Sequence, residues 1–228
     1  MSTHTFLTAK RHWQSTLIVF AACWFLQACT TTTIDQFRQG ATGINEGEAV
    51  VILGRRQGAA YETRAEFVEC VGDRMARGNN SVRVIPEQQF VDALFPWFEP
   101  RTAPLRSEDL QQLMAQPLVT EKMSEFGVRY IVWLDGQTET TSRMGSISCA
   151  VGPGGGGCFG FGSWEDDSSF EARVWDVSSH TSVGTISADA NGQSYMPAVF
   201  VPIPLIARVE ANACSSLANQ LKQFVQGE

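Results

Sequence analysis

The chain has 228 residues, with 17 Lys and Arg against 24 Asp and Glu and three His, a formal charge of −7 at pH 7. That length supports a domain of ordinary size with a substantial core. An acidic chain gains nothing from phosphate counterion release, so nucleic acid is not expected as a partner, and no Lys/Arg cluster exists to hold anionic headgroups.

Residues 1–28 read as a targeting segment. Lys10 and Arg11 form a positive start, and Leu17 to Leu26 form an apolar run too short to span a bilayer stably. Small Ala28 stands just before Cys29. Leu26-Gln27-Ala28-Cys29 resembles the lipobox of bacterial lipoprotein precursors, with Gln27 larger than that pattern usually holds. The resemblance implies cleavage before Cys29 and acylation of its thiol. Removing Lys10 and Arg11 leaves 15 basic residues against 24 acidic ones in residues 29–228. Thr30 follows the acylated Cys where lipoproteins kept at the inner membrane usually carry Asp. The resemblance therefore implies the outer membrane, facing the periplasm.

Residues 29–48 are rich in Thr, Gly and Asn and are expected to be a flexible tether ahead of a domain at 49–228. Ala49 to Leu53 is a short β-branched apolar run closed by Gly54, which fits a buried strand. A helix from about Tyr61 to Arg77 carries Phe67, Val68, Val71 and Met75 at helical spacing, and Gly78-Asn79-Asn80 closes it. Val82 to Ile85 is a second strand, stopped by Pro86. Glu87 to Phe95 makes a short helix, and an aromatic loop follows between Pro96 and Pro100. Ser107 is the expected N-cap of a helix running to Gln116. A further helix, Leu118 to Phe126, ends at Gly127.

Val128 to Leu134 is the strongest strand pattern, and Asp135-Gly136 is a tight-turn signal after it. Strands follow at about Thr138 to Ser148, Ser169 to Val177 and Ser182 to Ala190. Tyr195 to Ala207 is apolar but broken by Pro197, Pro202 and Pro204, so it is no membrane helix. The last helix, about Ile206 to Val225, aligns Val209, Ala213, Leu217, Leu221 and Phe224. This order predicts an α+β fold: a mixed sheet with a parallel first half and an antiparallel meander, helices packed on it, in a single domain. Val50 to Leu53, Gly127 to Val132 and Val174 to Val177, in that order, resemble the small periplasmic α/β domains of the TolB amino-terminal and CsgG-like type. That resemblance implies a non-enzymatic module in envelope assembly or transport.

Of six Cys, Cys23 lies in the targeting segment and Cys29 is the lipid acceptor that the resemblance implies. Cys70, Cys149, Cys158 and Cys214 remain, and four Cys allow three connectivities. Cys149 and Cys158 flank a Gly-rich turn and are candidates for a local bridge, which leaves Cys70 and Cys214 to pair. The competing reading is buried thiols acting as small hydrophobes.

The Gly-rich stretch from Gly152 to Gly162 contains G-x-G-x-x-G at Gly152, Gly154 and Gly157. A dinucleotide fingerprint needs a helix directly after it, and none is expected here. No cofactor is expected. Val151, Phe159, Phe161 and Trp164 are expected either to pack locally or to form an exposed apolar tip. In the second case Phe159, Phe161 and Trp164 are the partner-contact candidates. His4 and His12 lie in the targeting segment, which leaves His180 in a turn-like context, so no His/Cys cluster is expected for zinc and a Ser-His pair could be built only around that one residue. Glu165-Asp166-Asp167 lacks calcium-loop spacing. Cys70 beside Glu69 lacks the electropositive setting of a nucleophile. No catalytic or metal-binding residue is assigned. The sequence therefore points to a non-catalytic binding or scaffolding lipoprotein, held to the membrane by lipid and working with an envelope protein partner. The competing readings are an oligomeric assembly or secretion-pore subunit and a hydrolase with a cryptic carboxylate site.

Overall fold

A computed structural model of the chain describes residues 30–55, 62–99 and 101–228. The targeting segment 1–28, Cys29 and Pro100 lie outside the described residues. The strands are β1 (Thr30–Arg38), β2 (Ala49–Gly54), β3 (Val84–Ile85), β4 (Val128–Gly152), β5 (Gly155–Asp176) and β6 (Thr181–Pro202). The helices are α1 (Ala65–Met75), α2 (Glu87–Ala93), α3 (Asp109–Met114), α4 (Pro117–Glu125) and α5 (Val209–Gln226). The fold is α+β, with one mixed six-stranded sheet in the order β1-β6-β5-β4-β2-β3. β2 pairs in parallel with β3 and β4, while β1 pairs antiparallel with β6.

The described chain divides into two compact units. The larger comprises residues 30–142, 165–192 and 208–228. Its strand β2, between β4 and the edge strand β3, is buried at every position, as expected when helices cover both faces of a parallel strand. Val51 and Leu53 point to one side, into a cluster with Phe90, Leu110, Met114, Met123 and Trp133 supplied by α2, α3, α4 and β4. On the other side Ile52 meets α1, which packs along α5. Phe67 of α1 stacks on Phe170 of β5 with ring centroids 3.5 Å apart. The bond between Cys70 and Cys214 joins α1 to α5 across 144 residues of sequence.

Four expectations need correction. The 29–48 tether is not flexible where it is described: residues 30–38 are β1, in register with β6 from Thr30 opposite Gly192 to Arg38 opposite Gly184. Thr is β-branched and favours extended backbone, and β6 offers an unpaired edge. The remaining residues are tied down as well, because the Tyr130 hydroxyl exchanges 2.9 Å hydrogen bonds with the backbone of Gly43. Second, Asp135-Gly136 is not a turn. β4 runs straight through it, because β5 lies along the edge of β4 opposite β2 and continues past the end of β2. Gly136 is required there for another reason: its φ is +149°, and a Cβ would overlap the Ser169 carbonyl oxygen. Third, Ser107 does not cap α3, whose N-cap is Glu108 without a side-chain bond. The Ser107 hydroxyl instead accepts a 2.6 Å hydrogen bond from Arg173. Fourth, residues 195–202 do not break off at Pro197 but continue β6. β1 ends opposite Gly192, so Pro197 sits on a strand edge where no ladder donor is missed.

The smaller unit comprises residues 143–164 and 193–207. It consists of the ends of β4 and β5, joined by a turn at Pro153-Gly154, and the end of β6 with the segment after it. Tyr195 and Leu205 exchange backbone bonds of 2.9 and 2.7 Å, folding that segment back on β6. The Cys149–Cys158 bond staples β4 to β5. Gly145 and Gly160, with φ of +90° and +143°, let the strands approach where any Cβ would overlap the opposite backbone.

Candidate functional site

The smaller unit is set apart by its chemistry. Its two segments of 22 and 15 residues contain one charged side chain, Arg143, in a chain that is 18% charged. Strand alternation offers no buried layer for all its apolar residues. Phe159 is 55% exposed, Phe200 66% and Val151 91%; Phe161, Val199, Val201 and Ile203 are also exposed. Phe159 and Phe200 meet edge to face with centroids 5.1 Å apart, and Phe161 lies 6.0 Å from Tyr195. The aromatic side chains thus gather across β5 and β6. Together these residues leave several hundred Å² of apolar side chain in water, the extent at which a patch becomes an interaction surface.

Of the three partner-contact candidates, Phe159 and Phe161 are exposed in this unit, whereas Trp164 is half-buried. Sequence reasoning missed Phe200, Val199, Val201 and Ile203 because the prolines hid a strand. The signal that finds them is the absence of charge from 193–207.

The Gly-rich pattern also lies in the smaller unit, and the acidic run and His180 fall in the larger one. The sequence pattern Gly152, Gly154, Gly157 forms the β4–β5 turn, with a strand after it and no helix N-terminus to receive phosphate. Glu165, Asp166 and Asp167 lie along β5, and the Thr140 hydroxyl donates to Asp166 at 2.7 Å. His180 sits in the β5–β6 turn at φ +55°. Among the described residues no group of three or more His, Cys, Asp or Glu is placed to hold a metal ion. Nor is any helix long and apolar enough to cross a membrane, which says nothing of strands.

Two grooves in the larger unit deserve description. One, of about 450 Å³, is polar and lined by Thr31, Thr33, Glu139, Asp167 and Asp189. The other, of about 390 Å³, runs beside α1 along β3, past Ala65, Gly72, Glu69 and Glu87. Neither holds a His or Cys for nucleophilic chemistry. A third, smaller cavity is framed by two ion pairs, Arg55 with Asp135 at 2.8 Å and Arg173 with Glu108. The Glu108 carboxyl is held below its ordinary 4.5 by its own backbone N–H and by Arg173, against an opposing effect of burial. This is an ordinary structural ion pair on a surface.

No protein-family model matches the chain, and no curated protein matches it. Among solved structures, two dodecamers of PelC from Paraburkholderia phytofirmans resemble it. One shares 13% identity at a TM-score of 0.41, covering 87% of this chain and 100% of that one. The other shares 12% at 0.40, covering 87% and 99%. Likeness at that level carries no conclusion about activity or assembly.

Proposed function

We propose that this chain is a lipoprotein of the bacterial envelope, anchored through Cys29 at the periplasmic face of the outer membrane, and that it acts as a non-catalytic docking or scaffolding module. The observation that carries the reading is the smaller unit, which has Arg143 as its single charged side chain and leaves Phe159, Phe161 and Phe200 exposed. Covering a contiguous apolar surface of that kind with another apolar surface is favourable, which is why such patches mark interaction sites. The lipobox-like Leu26 to Cys29 supports the anchor.

Hydroxyl-radical footprinting in isolated envelopes tests the docking surface. Phe37 and Phe95, 64% and 67% exposed in the larger unit, serve as internal references. Phe159, Phe161 and Phe200 should be oxidised far less than these two. Equal oxidation of all five would remove the docking surface.

A second reading, an oligomeric pore subunit, is favoured by one observation. The uncharged strand ends 144–152, 155–164 and 193–202 are nine or ten residues long, the length of a transmembrane β-strand. The open edge of β4 would then have to be closed by other copies. A ring-sized particle in detergent is the result that would favour this reading over the first.

A further inference from the structure

Two helices of the larger unit bring together cations that lie far apart in sequence. Cys70, Arg74 and Arg77 follow one another at helical spacing along α1 and just past its end, and Cys214 and Lys222 do so on α5. The bond between Cys70 and Cys214 sets these two faces against each other, so Lys222 meets Arg77 across 145 residues of sequence. An open cavity of about 800 Å³ lies at this junction, lined by Arg74, Arg77, Lys222, Asn79, Asn219 and Asp73. Lys222 is 8% exposed, and its ammonium donates a hydrogen bond to the Arg77 carbonyl. Among the described residues no carboxylate pairs with it, and Arg74 makes neither an ion pair nor a hydrogen bond. Asp73 is the one acid of the lining among the described residues, and Arg77 holds it at 2.6 Å in an exposed pair of little strength. A buried ammonium needs a counter-charge and partners for all three of its protons. One proton caps the end of α1, which leaves two without a partner among the described residues.

We infer that this cavity binds a phosphate monoester. Its lining carries three cations against one carboxylate, an excess of two, in a chain that is acidic as a whole. A phosphomonoester carries about −1.5 to −2 at pH 7 and so balances the site, whereas a diester or a carboxylate leaves part of the excess unmatched. Lys222 supplies the buried point charge. Arg74 and Arg77 supply planar guanidinium forks that match phosphate oxygens in pairs. The side-chain amides of Asn79 and Asn219 make no hydrogen bond among the described residues and add neutral donors. The last turn of α1 presents roughly half a negative charge here, set against three full positive ones. A cavity of about 800 Å³ has the volume of a site for a whole small molecule, so the phosphate is one end of a larger ligand, a soluble ester or a lipid. All the lining residues belong to the larger unit, so the site stands independently of the apolar docking surface.

Calorimetric titration of the full chain in detergent tests this, with glycerol 3-phosphate as the soluble probe and phosphatidic acid in mixed micelles as the lipid-borne one. Glycerol and phosphatidylcholine serve as blanks. Arg74→Gln removes an exposed charge that holds nothing in place, and Lys222→Met removes the buried one. Each should weaken binding about tenfold or more, the loss of one charge-assisted contact. Arg208→Gln removes an exposed charge elsewhere in the larger unit and should leave binding unchanged. Affinity for glycerol 3-phosphate should also fall below about pH 6, where the ester takes up its second proton. Saturable binding that is weakened in this pattern supports the site, and the probe that binds shows whether the phosphate comes on a soluble ester or on a lipid. No saturable binding of either probe would overturn the inference. Equal weakening by Arg74→Gln and Arg208→Gln would overturn it as well, since only the overall charge would then matter.

Discussion

Removing the bridge between Cys70 and Cys214 is the perturbation whose size follows most directly from the fold. The bond closes a loop across 144 residues, and it holds α1 against α5, the two helices that cover one face of the sheet. Constraining the unfolded chain over such a loop is worth about 5 kcal/mol in the chain-entropy model. The Cys149–Cys158 bridge spans 9 residues and is worth about 2.7 kcal/mol by the same reckoning. Cys214 is also fully buried against α1, so truncation adds a small cavity. Folded proteins have only about 5–15 kcal/mol in total, so the long-range bridge decides whether the larger unit stays folded. Urea unfolding of Cys70→Ala/Cys214→Ala and Cys149→Ala/Cys158→Ala, each against the parent in detergent, measures both. The first variant should lose the larger share of stability by roughly 2 kcal/mol. Equal losses, or a larger loss from the short bridge, would refute the argument.

Three further outcomes follow from particular contacts. Gly136→Ala should lower stability by about 2 kcal/mol in thermal melts, because φ is +149° and the Ser169 carbonyl occupies the Cβ position, whereas Gly152→Ala, with open space around it, should change nothing. Asp176→Ala should lose about 2 kcal/mol, since Asp176 accepts from Arg129 at 3.0 and 3.1 Å and from the Ser178 backbone at 2.7 Å, and Arg129 is left half-buried without it. The contribution of Glu108 is present above its ordinary 4.5 and is lost as pH falls through its lowered value in the folded state, so melts below pH 4.5 should show a shallower acid loss in Glu108→Gln than in the parent.

The parts of the fold set by local pattern were legible in the residues. β2 announces itself as a continuous apolar run, and α1 and α5 by stripes such as Phe67, Val71 and Met75 or Ala213, Leu217 and Leu221. The parts set by neighbours were not. Thr30 to Arg38 are polar apart from Ile34 and Phe37, which do not alternate, so the free edge of β6 makes them a strand. Asp135-Gly136 has turn composition, yet the same glycine serves a close strand approach, and the two uses look alike in one dimension. Pro197 suggested an end because edge position, which makes it harmless, is a property of the sheet. The surface around Phe159 and Phe161 was partly visible as an apolar tip, and its other half on β6 was hidden by those prolines. What does survive translation from sequence to surface is charge: the long uncharged intervals at 144–164 and 193–207 mark the site without any knowledge of the fold.

The central claim is that lipid at Cys29 holds this protein to a membrane, and the intact mass of the protein extracted from envelopes tests it directly. The account predicts a chain of residues 29–228, with both bridges intact and fatty acyl groups added at its N-terminus. A mass matching all 228 residues, or an unmodified chain, would contradict it.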